Sequence, residues 1–185
     1  MIIYIMRHGT TCWNEIHKVQ GWSKNRLSKE GKRLVHETAD KNINTHFDII
    51  ISSPVMRAMQ TANIVKSKNK SKGLKVIKDA RIGEIDEGLF VGRIRTELVG
   101  EEKKEFDSRS EKYKMEKWGD VYKRTTEFIK EIIKKYRGKS VLIVSHDTPA
   151  TTIEDYLLDR KVDYENYTYV KNFGNAEMRK YVIKD

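Results

Sequence analysis

Unbroken apolar runs alternate along the chain with stretches whose apolar residues recur every three or four positions, and that alternation predicts strands and helices in turn. Met1 to Met6 (MIIYIM) is apolar throughout and rich in β-branched residues, the pattern of a strand covered on both faces, and it runs straight into Arg7, His8 and Gly9. Asp48 to Ser52 (DIIIS) and Ser140 to Ser145 (SVLIVS) repeat that pattern, the last ending at His146. Lys75 to Lys78 reads as a short strand, and Tyr167 to Lys171 and Glu177 to Ile183 as closing, more exposed ones. Ser28 caps a helix carrying Leu34, Val35, Thr38 and Ala39, although Gly31 weakens its first turn. Ser53 caps the next, with Pro54 at the favoured first position and Arg57 in the opening turn. An apolar stripe from Trp118 through Phe128 and Ile132 to Tyr136, closed by Gly138, predicts another, and a further helix runs from Thr148 or Pro149 through Leu158. Gly100 to Lys117 is dense in charge and poor in apolar residues, which predicts a mobile insertion or a loosely packed helical segment. With no repeat and no linker, residues 1–185 read as one α/β domain with 93–117 as its cap or insertion.

Composition narrows the class. The 185 residues carry 37 Lys and Arg against 27 Asp and Glu, a formal charge of +10, which calls for anionic partners without separating nucleic acid from phosphorylated metabolites or proteins. The densest basic run, Lys66 to Lys78, has no aromatic residue to stack a base and reads as a solvated loop, so no nucleic acid is expected. No apolar run approaches the roughly 20 residues that cross a bilayer. Met1 to Met6 also lacks the basic start and small-residue cleavage site of a secretory signal, so no membrane association and a cytoplasmic location are expected. Cys12 is the single cysteine, which leaves no intramolecular disulfide and no cysteine cluster for structural zinc.

The candidate chemistry follows from where the strands end. Ligands of open α/β sheets bind beyond the carboxyl ends of the strands, and there the sequence puts Arg7 and His8 after the first long strand, Arg57 one helical turn after the second and His146 after the third. Two guanidiniums fork onto phosphoryl oxygens and a neutral imidazole offers a nucleophilic nitrogen, a set suited to phosphoryl transfer.

These residues resemble the histidine phosphatase superfamily, also called the phosphoglycerate mutase-like family. Arg7-His8-Gly9-Thr10-Thr11 with Asn14 stands in the spacing of its opening motif, followed by Gln20-Gly21 and Leu27-Ser28-x-x-Gly31. The run Ser52-Ser53-Pro54-Val55-Met56-Arg57-Ala58-Met59-Gln60-Thr61-Ala62 is similar to its second block, Glu84 with Gly88 and Gly92 to its acid-loop block, and Val144-Ser145-His146 to its last. The resemblance implies a three-layer α/β/α sandwich with a central, mostly parallel sheet and a small helical cap insertion. It implies that His8 accepts the phosphoryl group, that Arg7, Arg57 and His146 bind its oxygens, and that Glu84 donates a proton and then activates the hydrolytic water, with neither metal nor cofactor needed. Thr11, Asn14, Gln20, Gly21 and Asp147 join Arg7 and Arg57 as substrate-side positions. The chain departs from the family at Thr10, where Glu or Gln is usual, at Phe90-Val91, where an aromatic-acid pair is usual, and at Asp147, where Gly follows the final histidine. The Asp147 side chain is expected to point away from the crevice.

The favoured function is phosphomonoester hydrolysis on a phosphorylated small molecule or a phosphoprotein. A cofactor-dependent phosphoglycerate mutase is the alternative, disfavoured because mutases sharing the motif carry a longer insertion, and an inactive phosphate- or RNA-binding module is a third. The sequence sets no oligomeric state. Taken singly, a histidine at a strand end is more often a core residue and Arg57 a solvated helix residue; their co-occurrence favours function. Asp86 is the fallback for Glu84. His17, His36 and His46 read as surface residues, Cys12 as a small buried filler, and Trp13 and Trp22 as core or pocket wall. Lys103, Lys104, Arg109, Lys112 and Lys114 read as solvated rather than as a second anion site.

Overall fold

The computed structural model describes residues 1–164, 167 and 172–184. Five strands, β1 (Ile2–Arg7), β2 (Ile49–Ser52), β3 (Val76–Lys78), β4 (Ser140–Ser145) and β5 (Met178–Val182), form one sheet in the order β3-β2-β4-β1-β5, parallel except for β5 beside β1. The helices are α1 (Cys12–Glu15), α2 (Lys29–Lys41), α3 (Met56–Lys68), α4 (Gly100–Asp107), α5 (Trp118–Lys135) and α6 (Asp147–Leu157).

Alternate residues of the buried strands serve opposite faces, as the pleat requires. Met6, Ile50, Leu142 and Val144 pack with Val35 and Ala39 of α2 and Ala58 and Val65 of α3. Ile5, Ile51, Val141 and Ile143 pack on the other face with Phe128 and Ile129 of α5 and Ile153 of α6. The result is a three-layer α/β/α sandwich, and it explains why β1, β2 and β4 are written as continuous apolar runs.

Register brings three strand ends to one edge. Arg7 pairs with Ser145 and Ser52 with Val144. Pairing continues one step beyond the strands, His8 N–H donating to Ser145 O at 3.0 Å and Ser53 N–H to Val144 O at 2.9 Å, so the residues that follow β1, β2 and β4 emerge side by side. The loop after β1 is pressed against α2: a Cβ on Gly31 would fall 1.9 Å from Thr10 O, and one on Gly9 2.6 Å from Gly31 O. Close approach therefore requires glycine at both positions, a stronger reason for Gly31 than its cost to the helix.

Several boundaries correct the sequence reading. The helix α3 starts at Met56 rather than Pro54, because Ser53 Oγ accepts from Val55 N–H at 3.2 Å and closes a turn before the helix; Arg57 still sits in the first helical turn. The helix α6 starts at Asp147, with His146 as its extended N-cap residue. The strand expected at Tyr167 to Lys171 falls outside the described residues except for Tyr167, which lies in no strand. The segment Gly100 to Lys117 is not loosely packed: its Phe106 and Met115 form a small core with Val19, Phe90 and Leu98. Arg109 is buried there, pairing with Glu87 Oε2 at 2.7 Å and donating to Glu116 O and Asp86 O, both at 2.6 Å. The segment's apolar side chains meet Val19, on the distant loop after α1, as well as nearby Phe90, and local periodicity does not encode so remote a contact. Among the described residues no helix is long and apolar enough to cross a membrane.

Candidate active site

Beyond the shared strand edge the rings of His8 and His146 meet edge to face, their centroids 5.1 Å apart. His8 Nδ1 lies 2.7 Å from Gly9 O, an acceptor only, so Nδ1 carries the proton and Nε2 keeps its lone pair. Arg57 donates from Nε to that Nε2 at 3.1 Å and from Nη2 to Gly21 O at 2.9 Å. His146 Nε2 shares a hydrogen bond of 2.8 Å with Ser53 Oγ. Glu84 reaches in from the loop after β3, its Oε2 3.7 Å from both His146 Nδ1 and Arg57 Nη2 and its Oε1 accepting from Ile85 N–H at 3.0 Å. Arg7 Nε, Arg57 Nη1 and His146 Nδ1 are buried and have no hydrogen-bond partner among the described residues.

Burial governs the protonation states. It holds His8 well below the ordinary imidazole value, with the charges of Arg57 and then Arg7 adding to the effect. Burial, Arg57, His8 and Arg7 do the same to His146, so both rings are neutral at pH 7 without an anion beside them. Burial pushes the Glu84 carboxyl up to about 7 against the opposing pull of Arg57. Arg57, lowered by its burial to about 10 and supported by Glu84, stays charged.

The structure brings Arg7, His8, Arg57, Glu84 and His146 together; Asp86 is exposed and turned aside, its Oδ1 accepting from Gly88 N–H. Asn14, Gln20 and Gly21 line the adjoining cavity of about 770 Å³. Thr11 does not line it: fully buried, it caps α1, and its hydroxyl bonds Asn14 Oδ1 and Gln20 Oε1, so it orients those two side chains instead. The expected orientation of Asp147 is also corrected, since its Oδ2 stands 3.3 Å from Arg7 Nη1 and it borders the cavity. Cys12 is exposed rather than buried. Trp13 lines the cavity, whereas Trp22 is exposed and donates from Nε1 to Glu84 O at 2.6 Å. His36 and His46 are surface residues; His17 is exposed but lies at the cavity. Lys104, Lys112 and Lys114 are exposed, Lys103 pairs with Asp107, and Arg109 is buried, not solvated.

Ser53, read from sequence as a helix cap, instead bonds His146 Nε2, and Arg124 is a site-building residue that the sequence reading passes over. Arg124 directs all of its guanidinium donors to the acid loop and its neighbour Glu116. Nη1 bonds Arg81 O at 2.6 Å and Gly83 O at 2.9 Å, Nη2 bonds Glu84 O at 3.2 Å and Glu116 Oε2 at 3.0 Å, and Nε bonds Glu116 Oε1 at 2.7 Å. The signal was available: Arg124 sits three residues after Val121 and four before Phe128, on the border of an otherwise apolar stripe. If these bonds place Glu84, Arg124→Ala lowers kcat by roughly 10- to 100-fold while KM moves less, since small misplacements of a reacting group cost that much. Steady-state rates measured beside a melting curve separate this from loss of fold.

One ligand atom each from His8, Glu84 and His146 lie within 4.8 Å of one another, a spacing a divalent cation accepts. However, Arg57 Nε already donates to His8 Nε2 and Arg57 Nη2 shares the Glu84 oxygen, so the local charge favours an anion.

The family model described as histidine phosphatase superfamily (branch 1) matches residues 3–185. Phosphoserine phosphatase 1 of Hydrogenobacter thermophilus is 33% identical over 154 residues, covering 80% of this chain and 71% of that protein. The probable phosphoglycerate mutase GpmB of Yersinia pestis is 35% identical over 100 residues, which is 54% of this chain but 45% of that protein. Among solved structures, YhfR of Bacillus stearothermophilus superposes with a TM-score of 0.83 at 24% identity, covering 99% of this chain and 91% of that one.

Proposed function

The chain belongs to the histidine phosphatase superfamily, branch 1, and on that premise we propose that it hydrolyses phosphoric monoesters through a phosphohistidine on His8, with Glu84 as proton donor. The observation that carries this reading is the pair of buried guanidinium donors, Arg7 Nε and Arg57 Nη1, which with His146 Nδ1 have no hydrogen-bond partner among the described residues, beside a neutral His8 whose Nε2 holds a lone pair. A phosphoryl dianion supplies the acceptors those groups lack and leaves phosphorus open to the ring nitrogen. In the first step the His8 Nε2–P bond forms as the ester P–O bond breaks, and the Glu84 proton passes to the leaving alkoxide. In the second, Glu84 takes a proton from water as the water oxygen attacks phosphorus, the N–P bond breaks and inorganic phosphate leaves. Negative charge arriving with the substrate raises the affinity of His146 for a proton, the sign needed if that ring donates to a phosphoryl oxygen.

The substrate we propose is a small phosphorylated metabolite of the phosphoserine or phosphoglycerate kind. Support comes from the name of the Hydrogenobacter relative and from the cavity, where the Lys18 ammonium rests over the Trp13 ring, 4.9 Å from its centroid, and offers charge to a carboxylate. The test is turnover of p-nitrophenyl phosphate and phosphoserine in the presence of EDTA. Sustained phosphate release is expected, and turnover abolished by the chelator overturns the scheme. A mutase on the same site, the reading that the GpmB similarity favours, predicts instead that 3-phosphoglycerate with catalytic 2,3-bisphosphoglycerate isomerises without net phosphate release.

A further inference from the structure

Asp147, the first residue of α6 and the neighbour of His146, is only 3% exposed. Its Oδ1 accepts from Phe173 N–H at 2.8 Å and from Asn172 N–H at 3.3 Å. Its Oδ2 accepts from Arg7 Nη1 at 3.3 Å, and the same Nη1 donates to Phe173 O at 2.5 Å. Both Nη1 hydrogens therefore have acceptors on the protein, while Nε of that guanidinium has none among the described residues. Turning the Arg7 side chain to another rotamer breaks the link to Asp147 and the link to the 172–173 turn together.

From these contacts we propose that Asp147 is a positioning residue for Arg7, fixing which edge of the guanidinium is presented to the phosphoryl group rather than touching substrate itself. This rests on the phosphatase reading above. The carboxylate has two effects of opposite sign on anion binding. It orders Arg7, which favours a phosphoryl group in one geometry, and it places a negative charge beside that geometry, which weakens attraction for any anion, product phosphate included. Both faces of the carboxylate meet donors, so asparagine is a poor replacement: its amide NH₂ must confront either the guanidinium or the backbone N–H pair.

The test is the kinetics of Asp147→Asn with phosphoserine and p-nitrophenyl phosphate, with inorganic phosphate as competitive inhibitor, repeated in an Arg7→Gln background. Positioning predicts that kcat falls about tenfold with little change in KM, that phosphate inhibits as tightly as before or more tightly, and that in the Arg7→Gln background the added loss is less than about twofold. A raised KM at constant kcat makes Asp147 a direct substrate contact and overturns the proposal. An equal loss in both backgrounds, or no loss in either, overturns it too.

Guanidinium NMR of the wild-type protein keeps the proposal falsifiable if the variant does not fold. Separate signals for the two Nη1 hydrogens of Arg7 are expected, and rotationally averaged ones overturn the link. That measurement needs no turnover, so an inactive wild-type enzyme refutes the phosphatase reading while the Asp147–Arg7 link is still decided.

Discussion

Replacing His8 with alanine is expected to lower kcat for any phosphomonoester by at least about 10⁴-fold, the scale on which removing an enzyme's nucleophile acts. The expectation follows from position rather than from the presence of a histidine. His8 Nδ1 is tied to Gly9 O, so Nε2 is the ring nitrogen that carries the electron pair, which accepts from Arg57 Nε, and burial beside Arg57 and Arg7 keeps that pair unprotonated at pH 7. His146 is equally neutral, its Nε2 bonded to Ser53 Oγ and its Nδ1 3.7 Å from Glu84 Oε2. Wild-type enzyme quenched during turnover of ³²P-labelled substrate should carry phosphate in a linkage labile to acid and stable to alkali, and His8→Ala should carry none. An acid-stable phosphoryl ester would move the nucleophile to a hydroxyl such as that of Ser53. Undiminished turnover in the alanine variant would remove His8 from the chemistry altogether. Circular dichroism and retained inhibition by vanadate would show that the variant keeps its fold and its anion site.

How much of this site is legible in the chain depends on what kind of interaction places each residue. Arg7, His8 and His146 are legible because strands buried on both faces are unbroken apolar runs, and parallel register then puts their ends at one edge. Arg57 is legible for a related reason, although the turn at Ser53-Pro54 delays its helix by two residues. The choice between Glu84 and Asp86 is not settled by position on the loop. That Glu84 is the one facing the histidines goes with Arg124 and Trp22, which hold its carbonyl from a helix and a loop far away in sequence. The His8 tautomer is likewise set by a backbone carbonyl whose direction no residue type records. Asp147 shows the limit most plainly: an acid after the second histidine reads as a departure from pattern, yet it finds the Phe173 and Asn172 amides only once β5 has paired with β1 and brought residues 172–173 beside α6.

Glu84→Gln is expected to lower kcat for alkyl phosphates such as phosphoserine by about 10² to 10⁴-fold, the usual range for a lost general acid. With p-nitrophenyl phosphate, whose phenolate departs with little help from a proton, the rate of enzyme phosphorylation, read as the pre-steady-state burst, should fall much less. Hydrolysis of phospho-His8, where Glu84 is the base, should slow alike for both esters. The pH dependence has a definite sign. The Glu84 carboxyl titrates near 7, so the protonated form needed for the first step is present below that value and disappears above it. Phosphorylation of wild-type enzyme by an alkyl ester should therefore decline as pH rises through 7, and the glutamine variant should lose that limb. The same raised value carries a stability consequence. Between the ordinary 4.5 and about 7 the folded protein keeps a proton that the unfolded chain releases, so this group's contribution to stability falls as pH rises across that window. Glutamine, neutral throughout, should give a variant that melts higher than wild type above pH 7, with the advantage shrinking as pH falls toward 4.5. Equal losses of phosphorylation rate with both esters would leave Glu84 holding substrate rather than protonating the leaving group, because in that step only proton transfer distinguishes an alkoxide from a nitrophenolate.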